Sequence, residues 1–390
     1  MPAIASLECA RCHQHVPVDL PRAVCTACGG PLYVRYDLEA LKRDAARPSQ
    51  GGVPSMWRYS AVLPDVEPVT LSEGWTPMLR SRRYPQLYIK DEGANPAGTV
   101  KARGASMVAS MARRYGVKKL AASSAGNTAG ALAAYAAAAG LEAHLFMPED
   151  APFASRAESA AFGAHVTLVD GTVSDCARMV TERTEAEGWF DASGQGDPFR
   201  IEGEKTMGYE LVEQLEWEYP DAVIYPAGSE TELAGIWKAF EEMEALGWVQ
   251  PGKRPKLIVV RASTVSATGG TVAPGLPASQ PPSVSAVVDI PRAWEGTSTD
   301  IDNEAILASR LDWARNEGML LGMEGAAATA AYDHLLKTKF LTPSDRVVLF
   351  NTTSGFKYAD MSADAMKTAP STNKKKLPER SPVGGIITPV

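Results

Sequence analysis

The sequence predicts an α/β protein: two doubly wound parallel-sheet domains preceded by a small metal-binding ribbon. Three observations carry this expectation. Strand-like and helix-like patterns alternate from about residue 86 onward, the rhythm of parallel sheets covered on both faces. Two Gly-containing turns, at 95–104 and 123–130, each run straight into a helical pattern. Four of the five cysteines fall within the first thirty residues, as two CxxC pairs.

Taken in order, Cys9-x-x-Cys12 and Cys25-x-x-Cys28, followed by Gly29-Gly30, form two knuckles whose thiolates can close tetrahedrally around one ion. Structural zinc is favoured over a ribbon that no longer holds metal and over a disulfide pair in a chain without an export signal. His13 and His15 are expected to be exposed, because four cysteines already complete a closed site, and Cys176 is expected in the core. Pro, Gly and Ser cluster at 47–54 as a linker. Strands are then predicted at 87–89, 119–123, 143–147 and 165–169, with helices at 105–115, 128–139, 155–162 and 173–187. The rhythm resumes with helices at 206–218 and 232–246 and strands at 222–225 and 257–260. Residues 263–299, rich in Pro, Ser and Gly, read as a long loop that could cover the site. Helices at 303–317 and 324–336 and a strand at 346–350 follow, and 367–390 reads as a solvated, disordered tail.

Composition narrows the function. The chain has 390 residues, 45% hydrophobic and 22% charged, with a net charge of −7, which argues against a nucleic-acid binder. The apolar stretch 131–147 is interrupted by Gly140, Glu142 and His144 and is too short and polar to span a bilayer. The start lacks the basic and apolar regions of a secretory signal, so a cytoplasmic protein is expected. The turn at 93–98 has P-loop spacing, but Thr99-Val100-Lys101 follows where Lys-Ser/Thr is required. No GxGxxG, GxSxG or HExxH motif is present.

What remains is lysine chemistry. Lys101 sits at a Gly-flanked turn opening a helix, and Ser123-Ser124-Ala125-Gly126-Asn127-Thr128 opens another. Helix N-termini offer unpaired N–H groups to phosphate or carboxylate, and a lysine in such a place can bond covalently to a carbonyl. The pattern points to a Schiff-base site, with pyridoxal phosphate as the candidate cofactor.

These residues resemble the threonine synthases of the fold-type II pyridoxal-phosphate enzymes. The resemblance runs through Cys28-Gly29-Gly30-Pro31-Leu32, Glu73-Gly74-Trp75-Thr76-Pro77, Lys90-Asp91-Glu92, the lysine turn, Ile201-Glu202-Gly203-Glu204-Lys205-Thr206, Gly235-Ile236-Trp237-Lys238, Glu324-Gly325-Ala326 and Asn351-Thr352-Thr353-Ser354-Gly355-Phe356-Lys357. It implies a ribbon at 1–40, a larger cofactor-binding domain at 55–103 and 200–362, and a smaller α/β domain at 104–199. It implies Lys101 as the Schiff-base lysine and proton carrier, and Asn127 as the donor to the cofactor's phenolic oxygen. Ser123, Ser124, Gly126 and Thr128 receive the substrate carboxylate; Thr352 or Ser354 faces the pyridine nitrogen; Arg156 and Lys205 are candidates for a substrate phosphate. Gly228, Ser229, Glu230 and Thr231 match the loop that cradles the cofactor phosphate.

That loop departs from the family's Gly/Asn-rich form, reading Ala227-Gly228-Ser229-Glu230-Thr231-Glu232. A like charge ~4 Å from a phosphate costs about 1 kcal/mol in water and several times that at an effective dielectric near 20. Either the two glutamates turn outward, or the site has changed its ligand. Ala102, Met323 and the 263–299 loop depart as well. The resemblance implies conversion of O-phospho-L-homoserine and water to L-threonine and phosphate by a homodimer. Two alternatives stay open: replacement or elimination at the β-carbon of serine, phosphoserine or a related amino acid, as in cysteate synthases, and a non-catalytic descendant that has lost the cofactor.

Overall fold

In the computed structural model, the described residues are 4–18, 24–44, 46–48, 51–193, 197–226, 230–263, 271–276 and 296–359. The N-terminal strands β1 (Ser6–Cys9), β2 (His15–Val16) and β3 (Leu32–Arg35) form an antiparallel sheet ordered β2-β1-β3. So small a sheet needs anchoring beyond its own contacts. Leu7, Leu32 and Val34, all fully buried, belong to the same apolar cluster as Phe199, Leu233 and Trp237. Gly29, at φ +66°, makes the turn that follows Cys28. The helix α1 (Leu38–Asp44) comes next.

The chain then forms β4 (Met78–Arg80), β5 (Leu87–Asp91), α2 (Lys101–Arg114), β6 (Lys119–Ser123), α3 (Asn127–Ala139), β7 (Glu142–Pro148), α4 (Phe153–Ala161), β8 (His165–Val169), α5 (Val173–Glu187) and β9 (Phe190–Asp191). Its second half contains α6 (Pro198–Glu204), α7 (Thr206–Gln214), β10 (Ala222–Pro226), α8 (Glu230–Ala245), β11 (Lys256–Ala262), β12 (Thr297–Ile301), α9 (Asn303–Asn316), α10 (Met323–Lys337) and β13 (Val347–Asn351). Local signals set many ends. Thr172 and Asp175 form a reciprocal capping box at the start of α5, and Gly188 closes it in the left-handed region. Gly140 ends the Ala-rich α3 in the same way.

Two sheets carry the site. The larger is ordered β12-β11-β10-β13-β5-β4 and is parallel except for β4; the smaller, β8-β7-β6-β9, is wholly parallel. The central strands β10 and β13 are buried along their whole length, as strands with helices on both faces require. Because strands of a parallel sheet end at the same edge, the chain leaves β5 toward Lys101, β13 toward Thr352 and β10 toward α8 on one side.

The sequence-predicted rhythm matches this order of elements, with additions. β12 begins inside the expected loop: Thr-Ser-Thr-Asp-Ile has little apolar signal, yet it pairs in parallel with β11 as an edge strand. The helix α6 was also unforeseen, because its apolar spacing covers only two turns. Of the expected cover loop, 271–276 is described; it packs Ala273 and Leu276 inward and donates Gly275 N to Glu324 Oε1 at 3.1 Å. Residues 264–270 and 277–295, and the predicted tail at 367–390, lie outside the described residues.

Candidate active site

Lys101 is placed by what surrounds it. The turn before it is tied to the end of β13: Val100 N donates to Thr352 O at 2.9 Å and Ser354 N to Gly98 O at 2.8 Å. Gly98 is at φ +62°, and even Ala97 is held at +55°. Two residues on, the fully buried Arg103 donates to Glu92 at 2.7 and 2.8 Å and to Glu210 at 2.8 and 3.0 Å. Lys90 also donates to Glu210. Burial pushes the Glu210 carboxyl up, but Arg103 and Lys90 outweigh it and hold the carboxyl at about 2. The first turn of α2 is thereby fixed on both sides.

From there the Lys101 side chain reaches Glu232, with Nζ 2.6 Å from Oε1; the lysine side chain is 16% exposed and the glutamate's 2%. Glu232 lies in the first turn of α8, where a carboxylate also complements the helix dipole. Beside it is Glu204, the last residue of α6 and fully buried. Burial first, then the Glu232 carboxylate, push Glu204 up to about 7; Lys101, Arg200 and the Thr231 hydroxyl act the other way. The Thr231 hydroxyl donates to the Glu204 carboxyl.

Asn127 opens α3 and faces the end of β13: Nδ2 donates to Thr353 Oγ1 at 3.0 Å and meets the Tyr358 hydroxyl at 3.4 Å. That hydroxyl donates to the buried Glu324 at 2.7 Å. Thr353 therefore stands against Asn127, between the two hydroxyls the sequence offers. Thr352 is buried with its carbonyl engaged by Val100, and the Ser354 hydroxyl accepts from Phe356 N at 3.4 Å. In the loop after β6, Ser124 Oγ accepts from Gly126 N at 3.1 Å and Ala129 N at 3.3 Å, while Ser123 N donates to Ser193 Oγ at 3.0 Å. Thr128 follows in the first turn of α3. Gly126 lies against α4, 3.6 Å from Ser155 Oγ as measured from the Cβ it lacks, and the next residue, Arg156, has a buried Nε without a hydrogen-bond partner.

Other expected residues are placed differently. Lys205 does not reach the cleft. It is fully buried between Glu202 at 2.6 Å and Glu242 at 2.8 Å, and stacks its ammonium over Tyr36 at 4.5 Å. A substrate-phosphate role is corrected accordingly: α6 and α7 turn this side chain toward the ribbon. Thr231 is buried at the start of α8, and Glu230 opens that helix. Gly228 and Ser229 lie outside the described residues. Sequence reading named Glu232 but missed Glu204, Thr353 and Arg103. The signal for Glu204 is its place beside Lys205 in Ile201-Glu202-Gly203-Glu204-Lys205.

A pyridoxal-type cofactor needs an amine for its aldehyde, polar partners for its ring and a place for its phosphate. Lys101 is an amine of the kind the first need calls for, and Asn127 with the Thr353 hydroxyl are polar groups of the kind the second calls for. At the third, α8 supplies a helix N-terminus and the Thr231 hydroxyl, but Glu204 and Glu232 line it with carboxylates. The fit is good at the aldehyde and ring and opposed at the phosphate.

In the ribbon, Cys9, Cys12, Cys25 and Cys28 place their sulfurs within 4.8 Å of one another, with Cys9–Cys28 at 3.5 Å and Cys12–Cys25 at 3.7 Å. Tetrahedral zinc–thiolate bonds of ~2.3 Å imply sulfurs about 3.8 Å apart, so the cluster fits a structural ion. Arg11 N and Cys12 N donate to Cys9 Sγ at 3.4 and 3.5 Å, as second-sphere donors to a thiolate do. His13 and His15 are exposed and stand outside the four.

Known proteins resemble this chain over most of its length. The family model described as "Pyridoxal-phosphate dependent enzyme" matches residues 69–353. The threonine synthase of Methanocaldococcus jannaschii is 30% identical over 383 residues, covering 90% of this chain and 93% of its own length. That of Methanosarcina acetivorans is 30% identical over 370 residues, covering 89% and 90%. Among solved structures, an O-ureido-L-serine synthase superposes with a TM-score of 0.63 at 20% identity, over 77% of this chain and 94% of that one. A pyridoxal 5'-phosphate-dependent aspartate racemase gives 0.60 at 18% identity, over 72% and 90%. At these identities the two structures speak to the fold.

Proposed function

The chain belongs to the pyridoxal-phosphate-dependent enzymes, and from that premise we propose that it is a threonine synthase-like lyase, converting O-phospho-L-homoserine and water to L-threonine and phosphate. The observation that carries the reading is the meeting of Lys101, Asn127 and the end of β13 at one cleft. Relatives named threonine synthase, similar over nine-tenths of the chain, support this substrate above others.

Held by Lys101, Asn127 and Thr352 or Thr353, the cofactor would supply an electron sink for the substrate's α-carbon. A neutral hydroxyl as ring partner makes that sink weaker than a carboxylate would. The protein's own groups do the rest. The N-terminus of α3, with Ser123, Ser124, Gly126 and Thr128, orients the substrate carboxylate. Arg156, whose Nε is unpartnered, is the cation available to a substrate phosphate on that side of the cleft. Lys101 Nζ moves protons at the α and β carbons. To do so it must first lose its own proton, and Glu232 Oε1 at 2.6 Å is an acceptor in contact.

That same contact favours a second reading, a non-catalytic binding protein in which Glu232 keeps Lys101 as a buried ion pair. The experiment separating the two is a visible spectrum of purified protein with added cofactor, for wild type and Lys101→Ala. An absorption band that Lys101→Ala erases, together with phosphate release from phosphohomoserine, supports the lyase. Release from phosphoserine alone supports chemistry at a β-carbon instead. No band in wild type refutes both enzymatic versions.

A further inference from the structure

The carboxylates opposite Lys101 define what kind of group the far end of the cleft accepts. Glu232 is 2% exposed and bound to the lysine, and Glu204 is fully buried with the Thr231 hydroxyl as a donor. Two buried acids side by side with so few donors are uncommon, because each has forgone its hydrogen bonds to water. The cations that act on Glu204 are shared with other groups: Lys101 is engaged by Glu232, and Arg200 donates Nη2 to Ala192 O at 2.8 Å. Burial and the Glu232 charge make Glu204 readily protonated.

Two features keep the pair in place. Glu204 ends a helix packed tightly against α2: a Cβ on Gly203 would lie 2.2 Å from Arg103 O, and one on Gly104 would lie 3.2 Å from Glu204 Oε1. Glu232 lies on α8, whose Gly235 backs onto Lys205 N in the same close manner, at 2.7 Å. An anion at this end of the site meets the Glu232 carboxylate with the Glu204 acid beside it, whereas a hydroxyl meets groups that can accept from it.

We propose that Glu204 and Glu232 form a subsite for a hydrogen-bond-donating tail on the aldehyde that reaches Lys101, so that this chain takes unphosphorylated pyridoxal, through its hydroxymethyl group, in preference to pyridoxal phosphate. The inference rests on the reading that Lys101 bears the aldehyde.

The test is equilibrium dialysis of the full chain against each aldehyde, followed by borohydride reduction and mass measurement of the Lys101 peptide. Wild type should retain pyridoxal at least tenfold more tightly than its phosphate, with the reduced tag on Lys101 in both cases. The double variant Glu204→Gln/Glu232→Gln should shift the ratio at least tenfold toward the phosphate. Glu232→Gln alone should shift it the same way to a smaller extent, which covers a double variant that fails to fold. Wild type preferring the phosphate, or variants leaving the ratio unchanged, would overturn the inference while leaving the lyase standing. No tag on Lys101 from either aldehyde in any protein would overturn both.

Discussion

Replacing Glu204 by Gln isolates one buried acid and predicts a pH dependence of unusual sign. Most paired carboxylates have lowered folded-state values and lose stability in acid. Glu204 is the reverse: its ordinary value of 4.5 rises to about 7 on folding, through burial and Glu232. Between those limits the folded chain holds a proton that the unfolded chain has released. Its contribution is therefore fully present below about pH 4.5 and fades as pH climbs to about 7. At roughly 1.4 kcal/mol per unit, that gap amounts to about 3 kcal/mol. Unfolding entropy of roughly 2.1 cal/mol/K per residue over the unit Met1–Tyr358 makes this a shift of about 4 °C in Tm. Gln is neutral throughout and close to the protonated acid in shape. Scanning fluorimetry at pH 5 and pH 8 should thus show wild type falling by about 4 °C relative to Glu204→Gln. Parallel Tm profiles for the two proteins would refute the reasoning, and with it the picture of a protonated acid at the cleft.

Arg103→Met leaves Glu92 and Glu210 buried without their shared partner, so about 3–5 kcal/mol of stability should be lost in denaturant titration; a loss under 1 kcal/mol would show that Lys90 suffices. A strong thiophilic chelator should remove close to one zinc per chain, measured by elemental analysis, and lower Tm, because the ion ties the two cysteine knuckles together; unchanged Tm after complete removal would contradict a structural role.

The order of strands and helices was legible because parallel-sheet strands advertise themselves as short apolar runs between helical periods. Lys119–Ser123, His165–Val169 and Val173–Glu187 fall where the pattern puts them. The Lys101 turn and Asn127 were legible for a different reason: Gly next to a polar helix start is a local signal. What was not legible is long-range. Arg103 looks like any helical arginine until Glu92 and Glu210 arrive from other parts of the chain. Lys205 reads as a candidate cation for a substrate phosphate, yet Glu202, one turn earlier, and Glu242, on α8, enclose it. Thr353 and Glu204 acquire meaning only from the crossing of β13 with α3 and of α6 with α8. β12 was hidden because a polar edge strand is specified by its neighbour β11 more than by its own composition.

The seven-residue helix α6 touches two distant matters at once. Its Glu202 accepts the Tyr36 hydroxyl at 2.6 Å, on the segment that leaves the ribbon, and Ile201 packs on Tyr33 of β3. Two positions later, the buried Glu204 lies beside Glu232, the partner of Lys101. Helix α6 is too short to bend and too tightly packed to rotate one residue without the other. A ribbon loosened by oxidation of its thiols would therefore tug on the acid facing Lys101, making sulfur chemistry at one end of the protein audible at the other.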